Sequence, residues 1–328
     1  MNFTKTPPAI RCGVFFIALI SCVSVGCDKE VARTPDWPTG EAPSKLAKKK
    51  TKLNNHASTD QSYTLLVYNL YNYLWLERGG AERELRPKPE KEINNLVNII
   101  VEAQPDILAV CEIGTRADLN DLSRRLQKRD LEFPHQYIHL AADPYRRLAV
   151  LSKLPLEIHK DAQIQYQMDG KSHRMLRGIL DFSIETKRGE TRFIGLHLKS
   201  KRESKYFDQE QMRRHEAHQV RQHIDKIIEK SPRILLYGDI NDTRRSSTVH
   251  AISGTQHSPQ YLKPLNIDAE DGSRWTHYWK YQEVYSRLDY VFASQAMLDS
   301  IIMEESKIIR PKKGRFASDH HPILLKFQ

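Results

Sequence analysis

Cysteine is scarce in this chain, and most of what there is sits at the front. Three of the 4 cysteines, Cys12, Cys22 and Cys27, fall in the first 27 residues, which leaves Cys111 alone in the rest. One cysteine cannot build a disulfide framework, and Cys111, inside the apolar run Ile107 to Ile113, reads as a buried strand residue rather than a nucleophile. Internal repeats and inner linkers are absent too, so most of the 328 residues form one domain, long enough for a proper core. Excess charge is also modest where it matters. The net charge is +10, but the first 59 residues hold 9 of the 51 basic and 4 of the 41 acidic residues. That leaves 42 against 37, or +5, for residues 60–328. Such a domain accepts a polyanionic substrate without demanding one.

The front has its own character. Lys5 and Arg11 precede an uncharged apolar run, Gly13 to Val25, which closes on Gly26-Cys27. That run is short for a membrane span and has the order of a secretory signal: positive segment, apolar core, small residues. Cys27 resembles the acylated cysteine of a bacterial lipoprotein box, although Ser24 stands where Leu is usual. Leu19-Ile20-Ser21-Cys22 fits the box better but leaves a shorter core. The expectation is a signal over 1–27 and export from the bacterial cytoplasm. The product is then a lipoprotein held to the membrane through Cys27, ahead of Cys22, or a periplasmic or secreted protein. Residues 28–61, with Pro35, Pro38, Pro43 and Lys48 to Lys50 and no apolar periodicity, read as a disordered polar tether.

Residues 62–328 alternate strand and helix patterns. Tyr63 to Tyr71, Asp106 to Ile113, Gln136 to Leu140, Arg147 to Leu151, Met175 to Ile184 and Arg192 to Leu198 read as strands. So do Arg233 to Tyr237, Leu288 to Ala293, Ile301 to Ile309 and Pro322 to Phe327. Pro87 to Ala103, with Ile93, Leu96, Val97 and Ile100 at helical spacing, Ala117 to Arg129, and Tyr206 to Lys230 read as helices. Strands joined both by helices and by short turns argue for mixed sheets covered by helices.

Polar residues close several of these apolar strands. In RILLYGDIND, Gly238 allows a sharp turn, and Asp239 and Asn241 share one side of an extended segment, although a strand ending in an Asx-type turn explains the pair equally well. Asn69 lies in the first strand, Glu112 ends the second, His197 nears the end of RFIGLHL, Asp289 opens DYVFAS, and Asp319-His320 precede the last strand. Carboxylates and carboxamides are hard oxygen donors, and strand ends are where open α/β sheets place their chemistry.

Taken in order, Tyr68-Asn69, Cys111-Glu112, His197 to Lys201 (HLKSK), Gly238 to Asp242 (GDIND), Arg287 to Tyr290 (RLDY) and Ser318 to Pro322 (SDHHP) resemble the endonuclease/exonuclease/phosphatase superfamily. Its members include deoxyribonuclease I, abasic-site endonucleases, neutral sphingomyelinases and inositol polyphosphate 5-phosphatases. The resemblance implies an α/β fold, a four-layer α/β sandwich of two packed, mostly antiparallel sheets flanked by helices. It also implies one active site with magnesium or manganese, Glu112 as main metal ligand, and Asn69 and Asp319 close to the metal or its waters. Asp239 would orient or deprotonate the attacking water, Asn241 hold the phosphate, and His320 pair with Asp289. His197 stands where deoxyribonuclease I and sphingomyelinases have His, and Arg177 resembles a phosphate-contacting strand arginine, with Arg174 as the alternative. The second carboxylate that orients the histidine equivalent to His197 in deoxyribonuclease I has no clear counterpart; Asp143 is the one candidate. Independently, phosphodiester hydrolysis needs a polarising cation, a positioned water, donors to phosphate oxygens and a proton for the leaving oxygen, and these residue types supply each.

The expected activity is a metal-dependent phosphodiesterase acting as a monomer on nucleic acid, an exported endonuclease. Lys199, Lys201, Arg202 and Lys205 after His197 would neutralise flanking phosphates, with Arg213, Arg214 and Arg221 on the following helix. Aromatics are not regularly interleaved with these charges, so single-strand or base specificity has no signal. The alternatives are a lipid phosphodiesterase or phosphatase at a membrane surface, with Trp275 to Tyr285 as an interfacial loop, and a non-catalytic binding domain.

Overall fold

In the central strands, alternation decides everything that follows. In Tyr63–Tyr73, Leu65 and Val67 face one side while Leu66, Tyr68 and Leu70 face the other, and all five are buried. A strand buried on both faces belongs in the middle of a sheet that is covered twice. The computed structural model describes residues 61–79, 83–160, 164–202, 207–310 and 317–328, which fall in one compact unit. The expected signal and nearly all of the tether lie outside them, as do Lys205 and Tyr206.

Two six-stranded sheets carry the fold. The first runs Lys307–Ile308, Ile323–Phe327, Tyr63–Tyr73, Ile107–Ile113, Arg147–Ser152, His135–Ile138. The second runs Leu262–Pro264, Asp289–Ser294, Ile234–Asp239, Gly189–His197, Leu180–Thr186, Glu157–Ile158. Each has one parallel pair at its centre, Tyr63–Tyr73 with Ile107–Ile113 and Gly189–His197 with Ile234–Asp239; every other pairing is antiparallel.

Between the sheets lies an apolar core with Leu65, Val67, Ala109 and Val150 from one side and Phe182, Phe193, Tyr237 and Val291 from the other, the Phe182 and Phe193 rings stacked at 5.0 Å. Helices Glu90–Ala103 and Arg116–Gln127 cover the outer face of the first sheet through Ile93, Leu96, Ile100, Leu119 and Leu122. Helix Gln209–Ile227, capped by Asp208, covers the second through Ala217, Val220 and Ile224. The result is the four-layer α/β sandwich, and Cys111 lies buried in the central core as expected.

Three local expectations are corrected. Met175 to Ile184 is not one strand. A hairpin ends at Arg174 and the sheet strand starts at Leu180, because Gly178 turns at φ 64° and sits so near His139 that a Cβ would meet its Nε2 at 2.5 Å. Ile301 to Ile309 shrinks to Lys307–Ile308 after a 3₁₀ turn at Met303–Glu305. Gly238 makes no turn; it lies inside strand Ile234–Asp239 at φ 131°, and a Cβ there would meet the Leu196 carbonyl oxygen at 2.0 Å. Gly238→Ala therefore forces the central parallel pair apart, with an expected loss of about 2–4 kcal/mol in denaturant unfolding.

Candidate active site

The C-terminal ends of both parallel pairs meet at one rim. In the second sheet His197, Asp239 and Asp289 are direct register partners across three adjacent strands, each on the same face as its strand's inward core residues Phe193, Tyr237 and Val291. In the first sheet Asn69 continues the inward series Leu65, Val67. Glu112 breaks the alternation. It follows the inward-facing Cys111, but its backbone is left-handed at φ 60° and the pairing slips between Cys111 and Ile113. The bulge brings its carboxylate 3.4 Å from Asn69 Nδ2 and 3.8 Å from His197 Nε2, and the Asn72 N–H donates to its other oxygen at 3.0 Å.

Asp239 is the hub. The Asn69 amide donates to its Oδ2 at 3.1 Å and the Asn241 N–H to its Oδ1 at 2.9 Å, while His197 Nε2 and His320 Nε2 stand 3.7 and 3.8 Å from Oδ2. Asn241 is not extended, as expected, but left-handed at φ 53°, so the Asx turn and the polar pair are one feature. Its amide donates one N–H to the Leu198 carbonyl at 3.0 Å and keeps a second donor. His320 Nδ1 pairs with Asp289 Oδ2 at 2.7 Å, and Asp289 is fixed by its own backbone N–H on Thr276 Oγ1. Ser318 Oγ donates to the Asn69 carbonyl at 2.8 Å, which ties the Asp319-His320 loop to the first sheet.

Environment splits these groups. Burial pushes the Asp239 carboxyl up to about 7, helped by Asp289 and Glu112 and opposed by His320. Burial would lower His320, but the Asp289 and Asp239 charges override it and hold the imidazole well above its usual range. For His197, burial and then the charges of Arg177, His320, Arg146 and Lys199 all act downward, so this ring is neutral. Its buried Nδ1 has no hydrogen-bond partner among the described residues. The carboxylate sought for it, Asp143, pairs instead with Arg177 at 3.1 Å.

The structure thus joins eight expected residues, Asn69, Glu112, His197, Asp239, Asn241, Asp289, Asp319 and His320, by direct contacts. Arg177 and Lys199 stand further out, their charges reaching His197. Arg177 is buried on the connection before Leu180–Thr186 rather than on a strand, and Arg174 is exposed on a hairpin. Other expected phosphate contacts belong to the scaffold. Lys201 and Arg213 both bind Asp242, at 2.8 and 3.2 Å, and Arg221 holds the Ile252 carbonyl and Asp225. His277 went unnoticed in the sequence. Its Nε2 lies 3.6 Å from Asp319 Oδ2 and its ring 4.7 Å from that of His320, a contact made by a backbone bridge between the two residues that no local pattern reveals.

For a divalent cation, the protonated His320 is an unsuitable ligand. Glu112 and Asp319 suit better. Asp319 Oδ1 is buried without a hydrogen-bond partner among the described residues, and the neighbouring histidines His277 and His320 hold the carboxyl down against the effect of burial. Asp319, with its orphaned buried lone pair, and Glu112, whose carboxylate faces Asn69 and His197, are hard oxygen donors of the kind that magnesium or manganese takes.

Glu216, behind the site on helix Gln209–Ile227, accepts the Lys199 N–H at 2.7 Å, and burial pushes its carboxyl up to about 7. A raised carboxyl means that the folded state holds its proton to higher pH than the unfolded chain. Stability falls as pH rises from about 4.5 to about 7, by about 3 kcal/mol in all. In Glu216→Gln that part of the slope disappears, as measured by urea unfolding at a series of pH values.

The endonuclease/exonuclease/phosphatase family model matches residues 66–320. No curated protein sequence matches. Among solved structures, a truncated TDP2 from Caenorhabditis elegans is 18% identical at TM-score 0.55, covering 81% of this chain and 97% of that one. An endonuclease/exonuclease/phosphatase from Bacteroides vulgatus is 14% identical at TM-score 0.55, covering 82% and 99%. Sphingomyelinase C from Streptomyces griseocarneus is 14% identical at TM-score 0.52, covering 82% and 100%. At these identities the structures share the fold with this chain, and the match over residues 66–320 makes the chain a member of the endonuclease/exonuclease/phosphatase family.

Proposed function

We propose that this chain is a divalent-metal-dependent phosphodiester hydrolase that acts on nucleic acid, exported and tethered by its N-terminal segment. The observation that carries it is the buried line Asp289–His320–Asp239, one imidazolium between two carboxylates, beside the cation-suited pair Glu112 and Asp319. A magnesium or manganese ion held by Glu112 and Asp319 would supply positive charge to a phosphate oxygen. Asp239, poised near neutrality and oriented by Asn69 and Asn241, takes the proton of a water attacking phosphorus. His320, kept charged by Asp289, gives a proton to the leaving oxygen as the old P–O bond breaks. Neutral His197 and the free donor of Asn241 hold non-bridging oxygens, and Arg177 offers a buried Nη1 without a hydrogen-bond partner among the described residues.

A polyanionic substrate is favoured by Arg177 and Lys199 behind His197 and by the basic balance of residues 60–328. The test is nicking of supercoiled plasmid by the purified chain in magnesium, manganese or chelator. Cleavage requires metal, and His320→Ala or Asp239→Ala lowers the rate by about 10²–10⁴-fold with unfolding unchanged in cooperativity. Asp289→Asn lowers it by about 10–100-fold, because the imidazole loses the charge that keeps it protonated. An intact plasmid under every metal, with turnover of sphingomyelin or phosphoinositide vesicles instead, assigns the site to lipid.

A further inference from the structure

Two elements flank the mouth of this site, and both present aromatic rings to solvent. The first is the end of Tyr63–Tyr73, where Tyr71 and Asn72 are consecutive left-handed residues at φ 49° and 60°. Such backbone is strained, and its neighbours hold it in place. Buried Lys88 donates to the Tyr71 carbonyl at 2.9 Å, pairs with Glu92 at 2.8 Å and lies 5.0 Å from the centre of the Tyr71 ring. Arg78 and Arg146 bind the Asn72 carbonyl and side chain at 2.9 and 2.8 Å. Tyr71 is nevertheless 44% exposed.

The second element is the hairpin His277–Trp279 with Val284–Ser286. His277 faces Asp319 and His320, and the Tyr278 N–H donates to the Asp319 carbonyl at 3.1 Å. Alternation puts Trp279 on the same face as His277, about 7 Å further along the strand. Tyr278 stacks on Tyr285 at 4.5 Å, Tyr285 packs on Trp275 at 4.6 Å, and Arg310 lies 3.7 Å over Trp275, so the hairpin is buttressed from behind. Trp279 and Tyr281 gain nothing from that stack; they are 47% and 91% exposed, with exposed Lys280 between them. Both elements are tied to the site itself: the Tyr71 N–H donates to Asn69 Oδ1 at 2.9 Å and the Asn72 N–H to Glu112 at 3.0 Å, while His277 and Tyr278 hold the hairpin against Asp319.

We propose that Tyr71, Trp279 and Tyr281 form an aromatic clamp that receives the bases next to the scissile phosphate, so that the enzyme prefers single-stranded or locally unpaired nucleic acid. This rests on the nucleic-acid reading of the site. Exposed rings beside a phosphate site offer stacking to any unpaired base, and Lys280 complements the backbone charge. In a duplex those base faces are already stacked and must first be freed. A bilayer suits the hairpin poorly, because its turn, residues 280–283, exposes Lys280, Gln282 and Glu283 along with Tyr281, and the charged tip would have to enter first.

The experiment compares kcat/KM of the full chain on a single-stranded oligonucleotide, the same sequence as a duplex, and a single strand whose bases flanking the cleaved phosphate are replaced by tetrahydrofuran. The wild type favours the base-bearing single strand. The double variant Trp279→Ala/Tyr281→Ala loses about 10- to 100-fold on it, and its preference over the tetrahydrofuran strand falls towards one. Trp279→Phe/Tyr281→Phe retains the preference. In chelator, anisotropy of a labelled oligonucleotide shows the same loss of affinity in the alanine variant. A wild type that cuts nucleic acid but whose preference survives the alanine changes overturns the clamp alone. A wild type that neither cuts nor binds nucleic acid overturns the substrate reading and the clamp together. An alanine loss seen on sphingomyelin vesicles and not on oligonucleotides gives the rings to a lipid surface and overturns the proposal.

Discussion

The hydrogen bond between His320 Nδ1 and Asp289 Oδ2, 2.7 Å long and wholly buried, is the interaction on which the site depends. It joins the loop before the last strand of one sheet to the first residue of a central strand in the other. An unpaired imidazolium is too costly to bury, and an unpaired carboxylate equally so. The pair therefore has to be complete for either charge to exist at this depth. Once present, the imidazolium stands 3.8 Å from Asp239 and partly offsets the cost of that buried carboxylate. Three ionisable groups, two from adjacent strand ends and one from the loop before the last strand, thus settle each other's charge.

The two histidines show how far neighbours, rather than residue type, decide the chemistry. His320 is hydrogen-bonded to Asp289 and is held charged in spite of its burial; His197 is held neutral by burial first and then by the charges of Arg177, His320, Arg146 and Lys199. Both rings are buried, and what differs is the hydrogen-bond partner of Nδ1. Asp143 faces the Arg177 guanidinium rather than the His197 ring, so among the described residues His197 Nδ1 has no carboxylate to favour its protonation. A neutral donor beside a charged one suits a reaction in which one group steadies the phosphate and another delivers a proton.

Backbone strain gathers at the same rim. Glu112, Asn241, Tyr71 and Asn72 are left-handed, and Gly238 permits an approach to Leu196 that no side chain would survive. Regular strands would send Glu112 towards the helices and leave Asn69 with Asp239 as its one carboxylate partner. The unstrained, doubly covered sheets behind supply the apolar burial that keeps these irregular ends in place. The aromatic rings at the mouth belong to the same economy of position, since Tyr71 owes its presentation to the left-handed pair and Trp279 to the register of a short hairpin.

Much of this was determined by sequence alone. The twofold alternation of Leu65-Val67-Asn69, Phe193-Gly195-His197, Leu235-Tyr237-Asp239 and Val291-Asp289 already sets four polar residues on inward faces at strand ends, because side-chain direction in a strand depends only on counting by two. Helix periodicity likewise identified the covering layers through Ile93, Leu96 and Ile100 and through Ala217, Val220 and Ile224. Tertiary structure alone decided what counting cannot reach. The bulge at Glu112 reverses its expected face, the break at Gly178 takes Arg177 off the strand, Asp242 claims Lys201 and Arg213 for the scaffold, and His277 meets His320 across more than forty residues of chain. Each depends on which distant backbone or charge lies opposite. Local composition fixes a side chain's direction, but its partner, and hence its charge and its task, is set only when the two sheets close on one another.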